Sequence, residues 1–171
     1  MNYKSKLGTI NTFIFDVDGV LTDGTVLVNG SDYQRTLNSK DSYAIQYACR
    51  VGFQFFLITG GDSPHVKSAF ESLGVKEVCL KSSNKLEVFY MLTEKYHLIK
   101  EDCLYMGDDI PDLQVIRHVG LATAPRDACI DVLREVAYIS PFDGGKGAVR
   151  DIVEQTLRAQ NEWLTAQAYH W

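Results

Sequence analysis

The chain has 171 residues, of which 46% are hydrophobic and 23% are charged. This composition can bury the core of one ordinary domain, and it excludes a disordered or fibrous protein. The formal net charge of −5 comes without a long basic run, which argues against nucleic acid as a partner. No apolar run approaches the ~20 residues of a membrane-spanning helix, and the N-terminus lacks a signal-peptide core, so we expect a cytoplasmic protein with no membrane partner.

Short β-branched or aromatic runs alternate along the chain with longer segments of helical period. Five of these runs are predicted strands: Thr12–Phe15, Phe53–Ile58, Glu77–Leu80, Cys103–Met106 and Val119–Ala122. Strands that alternate with helices are typical of βα units, whose strands run parallel. We therefore predict an α/β fold with a Rossmann-like, mainly parallel sheet flanked by helices.

One stretch after the first strand interrupts this alternation. Thr25–Val28 and Tyr33–Leu37 are two strand-like runs, and Asn29-Gly30-Ser31-Asp32 between them is a favourable turn sequence. The pattern predicts a β-hairpin flap over about residues 24–38.

Helical spacing predicts three helices on the faces of the sheet. The first begins at Ser63-Pro64 and ends before Gly74, because Ser, Pro and Gly are typical of those positions. A third helix covers about Ala148 to Leu157. The buried faces of the first two carry apolar residues at intervals of three and four: Val66, Ala69, Phe70 and Leu73 in one, and Leu86, Phe89, Tyr90 and Tyr96 in the other.

No composition shift, repeat or low-complexity segment divides the chain, so we predict one domain over residues 1–158. The tail, residues 159–171, is too apolar for a purely solvated end because it contains Trp163, Leu164, Tyr169 and Trp171. We expect this tail to dock on the body of the domain or on a neighbouring subunit.

Acidic residues follow two of the predicted strands. Asp16 and Asp18 come directly after the first strand, and Asp108, Asp109 and Asp112 follow the fourth. Ligands of parallel sheets bind at the carboxyl ends of the strands, and the two groups of acids meet there if the first and fourth strands are neighbours. Carboxylates that converge there repel one another unless a hard cation neutralises them, and oxygen ligands suit Mg²⁺. The sequence therefore predicts a magnesium site at this edge.

A phosphate site is predicted beside these carboxylates. The segment Thr59-Gly60-Gly61 follows a strand and precedes a helix, and its hydroxyl and unhindered backbone N–H groups can hold an anion. Lys85 can add the positive charge that a phosphate needs. Such a site permits phosphoryl transfer through an aspartyl-phosphate, with Asp16 as the nucleophile and Asp18 as the acid and base.

The order of these motifs resembles that of a known group of enzymes. The motifs are Asp16-Val17-Asp18-Gly19-Val20-Leu21-Thr22-Asp23-Gly24, then Thr59, Lys85 and Gly107-Asp108-Asp109. Over nearly the whole chain they resemble the haloacid dehalogenase (HAD) superfamily of phosphatases. The hairpin, Ser83-Asn84-Lys85 and Gly144-Gly145-Lys146-Gly147-Ala148-Val149-Arg150 are similar to those of its capless 3-deoxy-D-manno-octulosonate 8-phosphate (KDO 8-phosphate) phosphatases.

The resemblance implies a HAD fold without a cap domain and a Mg²⁺-dependent homotetramer that hydrolyses a sugar acid phosphate of lipopolysaccharide synthesis. It implies that Asp16 is the nucleophile and that Asp18 is the acid and base. The implied metal ligands are Asp16, Asp108 and the backbone carbonyl of Asp18. Thr59, Gly60 and Lys85 would hold the phosphate, and residues at the base of the flap would contact the substrate: Asn38, Ser39, Lys40, Asp41 and Ser42.

The resemblance predicts the reaction more firmly than the exact substrate. At four positions where relatives often carry arginine, this chain has another residue: Gln46, Gly61, Ala69 and Lys146. A sugar carboxylate loses bidentate partners there, since lysine replaces arginine only as a point charge. Lys40 and Lys67 can compensate, or the substrate is a nonulosonate 9-phosphate.

Two other functions combine similar residues. A receiver domain of a signalling protein carries its phosphorylated aspartate at the end of the third strand, where this chain has Thr59 instead. A non-catalytic HAD-like oligomerisation module tends to lose the catalytic acids, whereas Asp16, Asp18 and Asp108 are all present. Both are therefore disfavoured.

Overall fold

The computed structural model describes residues 2–29 and 32–170. Along this part of the chain the strands and α-helices are β1 (Thr12–Phe15), β2 (Leu27–Asn29), β3 (Asp32–Gln34), α1 (Ser39–Arg50), β4 (Gln54–Ile58), α2 (Pro64–Ser72), β5 (Glu77–Cys79), α3 (Lys85–Tyr96), β6 (Cys103–Met106), α4 (Leu113–Ile116), β7 (Leu121–Ala124), α5 (Ile130–Glu135), β8 (Tyr138–Ile139) and α6 (Ala148–Ala159). Short 3₁₀ helices lie at Tyr3–Ser5, Lys100–Asp102, Ile110–Asp112 and Ala166–Tyr169.

Six parallel strands form the central sheet in the order β5-β4-β1-β6-β7-β8. The first strand therefore lies inside the sheet, where Phe15 is in register with Leu57 of β4 and Met106 of β6. The residues that follow these three strands consequently emerge side by side at one edge of the sheet.

Successive side chains of β1 enter two different hydrophobic layers, as the alternation of a strand requires. Phe13 and Phe15 are fully buried with apolar residues of α1, α2 and α6, whereas Ile14 packs with α3, α4 and α5 on the opposite face. This arrangement confirms the predicted α/β fold with helices on both faces of a parallel sheet.

The predicted strands and helices are confirmed with small shifts at their ends. Among the strands of the main sheet, the largest shift is in β7, which begins at Leu121 and not at Val119. The backbone N–H of Gly120 donates to the carbonyl of Lys100 (2.8 Å), and a Cβ at Gly120 would overlap the carbonyl of Glu101. The chain is held against this preceding turn and pairs with β6 only afterwards.

The flap is a two-stranded antiparallel hairpin that is separate from the main sheet. Leu27 pairs with Gln34, and Asn29 pairs with Asp32. Both strands are shorter than predicted, and the predicted turn residues Gly30 and Ser31 lie outside the described residues.

The helix α1 was not predicted from the sequence. The tail after α6 packs on it: the indole of Trp163 meets the ring of Tyr47 edge-on (5.3 Å), and the Tyr47 hydroxyl donates to the carbonyl of Glu162 (2.7 Å). Arg50 donates to the carbonyls of Gln167 (2.8 Å) and His170 (2.9 Å).

Among the described residues, no helix has the length and apolarity that crossing a membrane requires.

Candidate active site

The carboxyl ends of β1, β4 and β6 bring the predicted acids and the predicted phosphate loop to one edge of the sheet. Asp16 follows β1 directly, and its backbone N–H donates to the carbonyl of Met106 at the end of β6 (3.0 Å). Thr59 follows β4 on the other side of β1. Both side chains are buried, so their environment is set by protein groups.

Lys85 is the first residue of α3, and its ammonium group lies between two carboxylates. Its Nζ is 2.9 Å from Oδ2 of Asp16 and 2.6 Å from Oδ1 of Asp112, and only 7% of the side chain is exposed. Burial by itself lowers the pKa of Lys85, but the charges of Asp16 and Asp112 outweigh it, so the pKa is raised. Lys85 is therefore a fixed positive charge beside Asp16.

Asp112, the second carboxylate on Lys85, was predicted only as one of the acids at this edge and was not among the predicted metal ligands or catalytic residues. It is fully buried and accepts hydrogen bonds from the hydroxyl of Tyr105 (2.5 Å) and from the backbone N–H groups of Asp108 (3.1 Å) and Asp109 (3.2 Å). These bonds hold the loop after β6 in one conformation. Asp112 thereby positions both Lys85 and Asp108.

Asp108 has the surroundings of a metal ligand. Its Oδ1 is buried and has no hydrogen-bond partner among the described residues, a costly state that a bound cation would relieve. Carboxylate oxygens of Asp16, Asp108 and Asp112 lie within 4.8 Å of one another. Because all the donors are oxygens, the cluster fits a hard cation such as Mg²⁺.

The same crowding shifts the pKa values of two carboxyl groups. Burial raises the pKa of Asp108 to about 8, and the negative charges of Asp16 and Asp112 contribute to this rise. Burial and the charge of Asp112 also raise the pKa of Asp16 to about 6, against the lowering effect of Lys85. Without a cation, the folded protein therefore retains protons that the unfolded chain releases.

We expect the free energy of unfolding of the metal-free protein to fall as the pH rises from about 4 to about 8. Over this range the folded protein binds more protons than the unfolded chain, because the pKa values of Asp108 and Asp16 are raised, so rising pH favours unfolding. Mg²⁺ at about 100 times its dissociation constant should add about 2.7 kcal/mol near pH 8, which corresponds to about 5 to 10 °C in Tm. Thermal unfolding with EDTA or Mg²⁺, at about pH 5 and about pH 8, measures both effects.

The variant Asp108→Asn is the control for this measurement. It removes one of the crowded carboxylates, so near pH 8 the metal-free variant should be more stable than the metal-free wild type, and Mg²⁺ should no longer raise its Tm. A wild-type Tm near pH 8 that does not respond to Mg²⁺ would contradict a metal site at this edge.

Gly19, in the turn after Asp18, leaves the space that Asp108 occupies. Its φ is +87°, and a Cβ at this position would overlap the carboxylate of Asp108. Gly19→Ala should therefore displace Asp108 and weaken Mg²⁺ binding roughly 10- to 100-fold, as measured by titration calorimetry.

Gly52→Ala is the matched control, because Gly52 also has a positive φ (+103°) but its Cβ would meet no described atom within 4 Å. Both variants should lose about 1 to 2 kcal/mol of unfolding free energy from backbone strain. Only Gly19→Ala should lose Mg²⁺ affinity; equal affinities in the two variants would show that the close approach of Gly19 to Asp108 has no effect on the metal site.

Asp18 is paired with an arginine of the flap, a contact that was not predicted. Arg35 follows β3, and its Nε and Nη2 lie 2.6 and 2.9 Å from the two carboxylate oxygens of Asp18. The hydroxyl of Thr22 donates to Oδ1 of Asp18 at 3.4 Å. The Asp18 side chain is 30% exposed and that of Arg35 only 8%. Asp18 thus remains open to solvent while the flap holds it.

The loop after β4 is held by hydrogen bonds within and next to Thr59-Gly60-Gly61. The hydroxyl of Thr59 accepts from the backbone N–H of Gly61 (3.0 Å). The backbone N–H groups of Lys81 and Ser82 donate to the carbonyls of Gly61 (3.0 Å) and Thr59 (2.9 Å). These bonds tie the loop to the chain that leads into α3, and so to Lys85.

The residues predicted to contact the substrate, Asn38–Ser42, lie at the start of α1. The side-chain oxygen of Asn38 accepts from the backbone N–H of Lys40 (2.9 Å) and caps the helix, while its amide nitrogen donates to the carbonyl of Gly145 (3.2 Å). The hydroxyl of Ser42 donates to the carbonyl of Asn38 (3.1 Å). Asn38 therefore joins α1 to the loop before α6.

Asp41 makes a similar connection. It is buried, and its two oxygens accept from the backbone N–H groups of Arg150 (2.7 Å) and Gly147 (3.2 Å) at the start of α6. Ser39 and Lys40 are exposed and line a cavity of about 540 Å³ beside α6. Contact of this segment with a substrate stays a prediction.

Comparison with protein-family models gives no match to the chain. Among curated sequences, the 3-deoxy-D-manno-octulosonate 8-phosphate phosphatase of Escherichia coli K12 is 34% identical over 159 residues, which cover 92% of this chain and 85% of that protein. The Moraxella catarrhalis structure of such a phosphatase, in complex with magnesium ion, phosphate ion and KDO, has a TM-score of 0.90 at 31% identity and covers 94% of this chain and 93% of that one. The cobalt-bound Haemophilus influenzae enzyme also has a TM-score of 0.90 at 31% identity, with coverage of 96% and 98%.

Proposed function

This chain belongs to the 3-deoxy-D-manno-octulosonate 8-phosphate phosphatases of the HAD superfamily, and we propose that it is a Mg²⁺-dependent phosphatase that converts KDO 8-phosphate to KDO and phosphate through an aspartyl-phosphate. The observation that supports this mechanism is the meeting of Asp16, Lys85 and Asp108 at the carboxyl ends of β1 and β6, with Thr59 beside them.

Asp16 is held for attack on phosphorus. Its Oδ1 accepts from the backbone N–H of Val17 (2.7 Å), and its Oδ2 faces Lys85 (2.9 Å), so the carboxylate has one orientation. In the first step a carboxylate oxygen of Asp16 bonds to phosphorus, and the bond between phosphorus and the sugar oxygen breaks. Asp18 gives a proton to that leaving oxygen.

Asp18 then acts as a base in the second step. It removes a proton from water, the water oxygen bonds to phosphorus, and the bond between phosphorus and Asp16 breaks. Phosphate leaves, Asp16 regains its free carboxylate, and Asp18 is again protonated for the next cycle. The partial exposure of Asp18 suits this role, because the attacking water must reach its carboxylate.

Asp16, Asp108 and the backbone carbonyl of Asp18 would hold Mg²⁺, while Asp112 is already engaged by Lys85, Tyr105 and two backbone N–H groups. Bound Mg²⁺ would supply the positive charge that lets an anionic carboxylate approach an anionic phosphate. Lys85, Thr59 and Gly60 would bind the phosphate oxygens through an ammonium, a hydroxyl and a backbone N–H group.

The second candidate substrate is a nonulosonate 9-phosphate, which is one carbon longer. The uncharged residues Gln46, Gly61 and Ala69 leave this substrate open, because both sugar acids carry a carboxylate and these residues offer a guanidinium to neither. Lys146, the fourth departure, is paired with Asp23 (3.3 Å).

Phosphate release from a panel of esters tests the proposal. With Mg²⁺ we expect KDO 8-phosphate to exceed nonulosonate 9-phosphate and p-nitrophenyl phosphate in kcat/KM by at least about tenfold, a difference of about 1.4 kcal/mol in transition-state binding. A preference for the nonulosonate would identify the alternative substrate. No release from any ester would identify a non-catalytic module.

We also propose a homotetramer located in the cytoplasm. Apolar side chains of the flap support self-association, since Leu27, Val28 and Tyr33 are more than half exposed. The four cysteines are unpaired thiols, as is usual in a reducing compartment. Light scattering gives the number of subunits, and a monomeric mass would contradict the assembly.

A further inference from the structure

The flap and α2 line a half-open cavity of about 370 Å³ that the mechanism above does not use. Its walls carry hydrogen-bonding groups from both sides: Tyr33 and Arg35 from the flap, and Ser63 and His65 from the start of α2. A cavity of this size with a few polar groups suits a small polar molecule. Arg35 is the link between this cavity and the proposed active site, because it also binds Asp18.

The position of Asp18 places the leaving group beside this cavity. The leaving oxygen takes its proton from Asp18 and must therefore lie within hydrogen-bond reach of that carboxylate. The guanidinium of Arg35 covers Asp18 from the flap side, and Gly61 leaves room for it, since a Cβ at Gly61 would lie 3.1 Å from Nη2 of Arg35. The rest of the leaving group can extend along Arg35 into the cavity.

Arg35 is built to hold a carboxylate in one orientation. Its Nε and Nη2 form a two-point contact with Asp18, and its Nη1 donates to the carbonyl of Tyr33 (3.0 Å), which fixes the guanidinium to the flap. Unlike the exposed apolar residues of the flap, the Arg35 side chain is buried. A contact of this kind leaves the carboxylate little rotational freedom.

We propose that Arg35 is the positioning residue of the acid and base: its guanidinium holds the Asp18 side chain beside the cavity between the flap and α2. When a sugar acid phosphate binds there, one of the two contacts opens, and the freed carboxylate oxygen carries the proton that the leaving oxygen receives. This inference rests on the proposed phosphatase function. Proton donation matters most when the leaving group is a poor one, such as a sugar alkoxide, and little when it is a stable aryl oxide. The contribution of Arg35 should therefore depend on the leaving group.

The experiment compares Arg35→Gln with the wild type on three esters: KDO 8-phosphate, D-arabinose 5-phosphate and p-nitrophenyl phosphate. We expect kcat to fall about 100-fold for the two sugar phosphates, the size of a general-acid contribution. For p-nitrophenyl phosphate, the fold-decrease in kcat should be at least about ten times smaller than for the sugar phosphates. Arg35→Lys should recover only part of the sugar phosphate activity, because lysine cannot make the two-point contact.

Arg117→Gln is the matched control, because Arg117 pairs with Glu135 through the same two nitrogens (3.4 and 2.7 Å) on the exposed surface. It should not change the ratio of sugar to aryl ester turnover. An equal loss for all three esters in Arg35→Gln would overturn the inference and leave Arg35 a structural role in the flap.

Failure of the proposed substrate is distinguishable from failure of this inference. If the wild type hydrolyses D-arabinose 5-phosphate and the aryl ester but not KDO 8-phosphate, the substrate assignment fails, and the ratio between the two remaining esters still tests Arg35. If Arg35→Gln cleaves D-arabinose 5-phosphate as fast as the wild type, Arg35 has no positioning role, whatever the natural substrate is.

Discussion

Asp16→Asn is expected to reduce kcat by about 10⁴-fold or more while the protein stays folded. An amide cannot form the acyl phosphate on which both chemical steps depend, and loss of a covalent nucleophile has costs of this size. The substitution also removes one of three crowded carboxylates, since Asp16 lies near Asp108 and Asp112. Lys85 keeps its contact with Asp112 in this variant, so the metal-free protein should stay folded near pH 8, and the loss of activity is chemical and not structural.

The control for this variant is Asp131→Asn, which makes the same change at an exposed acid on α5. Steady-state phosphate release from KDO 8-phosphate and thermal unfolding are measured on both proteins. Asp131→Asn should match the wild type in both. An Asp16→Asn protein that retains more than about one hundredth of the wild-type kcat would show that phosphoryl transfer does not pass through this residue.

Of the variants proposed here, Lys85→Met should lose the most unfolding free energy. Lys85 is buried between Asp16 and Asp112, and without its charge the two carboxylates face each other in the protein interior. Breaking a buried ion pair by removing one partner costs about 3 to 5 kcal/mol. Near pH 8 in EDTA, the free energy of unfolding measured by urea denaturation should fall by this amount.

Two conditions should reverse part of this loss. Lowering the pH toward about 5 protonates the raised carboxyl groups, and adding Mg²⁺ replaces the missing charge. With saturating Mg²⁺, kcat should remain about 10²- to 10³-fold below the wild type, because a phosphate partner is lost. The control Lys95→Met breaks an exposed pair with Glu77, and it should change neither the free energy of unfolding nor kcat measurably. Destabilisation that is independent of pH would contradict the ionic role of Lys85.

Much of the candidate site could be predicted because its residues lie next to strands and helices that the sequence pattern predicts. Asp16, Thr59 and Asp108 each follow an apolar strand, and Lys85 begins a helix with a clear Asn cap. In a parallel sheet such positions lie at one edge. That β4 and β6 are the two neighbours of β1, which brings these side chains together, is known only from the structure.

Arg35 and Asp112 could not be assigned in the same way. Arg35 lies 17 residues from Asp18 at the end of a hairpin, and nothing in its local sequence shows which way the flap folds. Asp112 was visible as one of several acids after β6, but its role depends on Lys85 and Tyr105, which approach it from two other elements. Contacts of this kind require the tertiary structure.

The helix α1 had a signal that could have been found. Asp41, Ala44, Ile45 and Ala48 are buried at helical spacing after the cap residue Asn38. The pattern was missed because one of the four is a charged residue and two are small, so the hydrophobic period is weak. Asp41 is buried because it accepts backbone N–H groups from α6, a partner more than 100 residues away.

Phosphorylation of Asp16 is tested most directly by rapid quenching. The substrate is KDO 8-phosphate that carries the radiolabel in its phosphate group, and it is mixed with Mg²⁺ and an excess of enzyme. Acid-stopped samples are digested, and the label is mapped to its peptide. Label should appear on the peptide that contains Asp16 before phosphate is released, and it should decay at least as fast as kcat. Complete turnover with no label on that peptide, or label on another residue, would contradict the covalent mechanism.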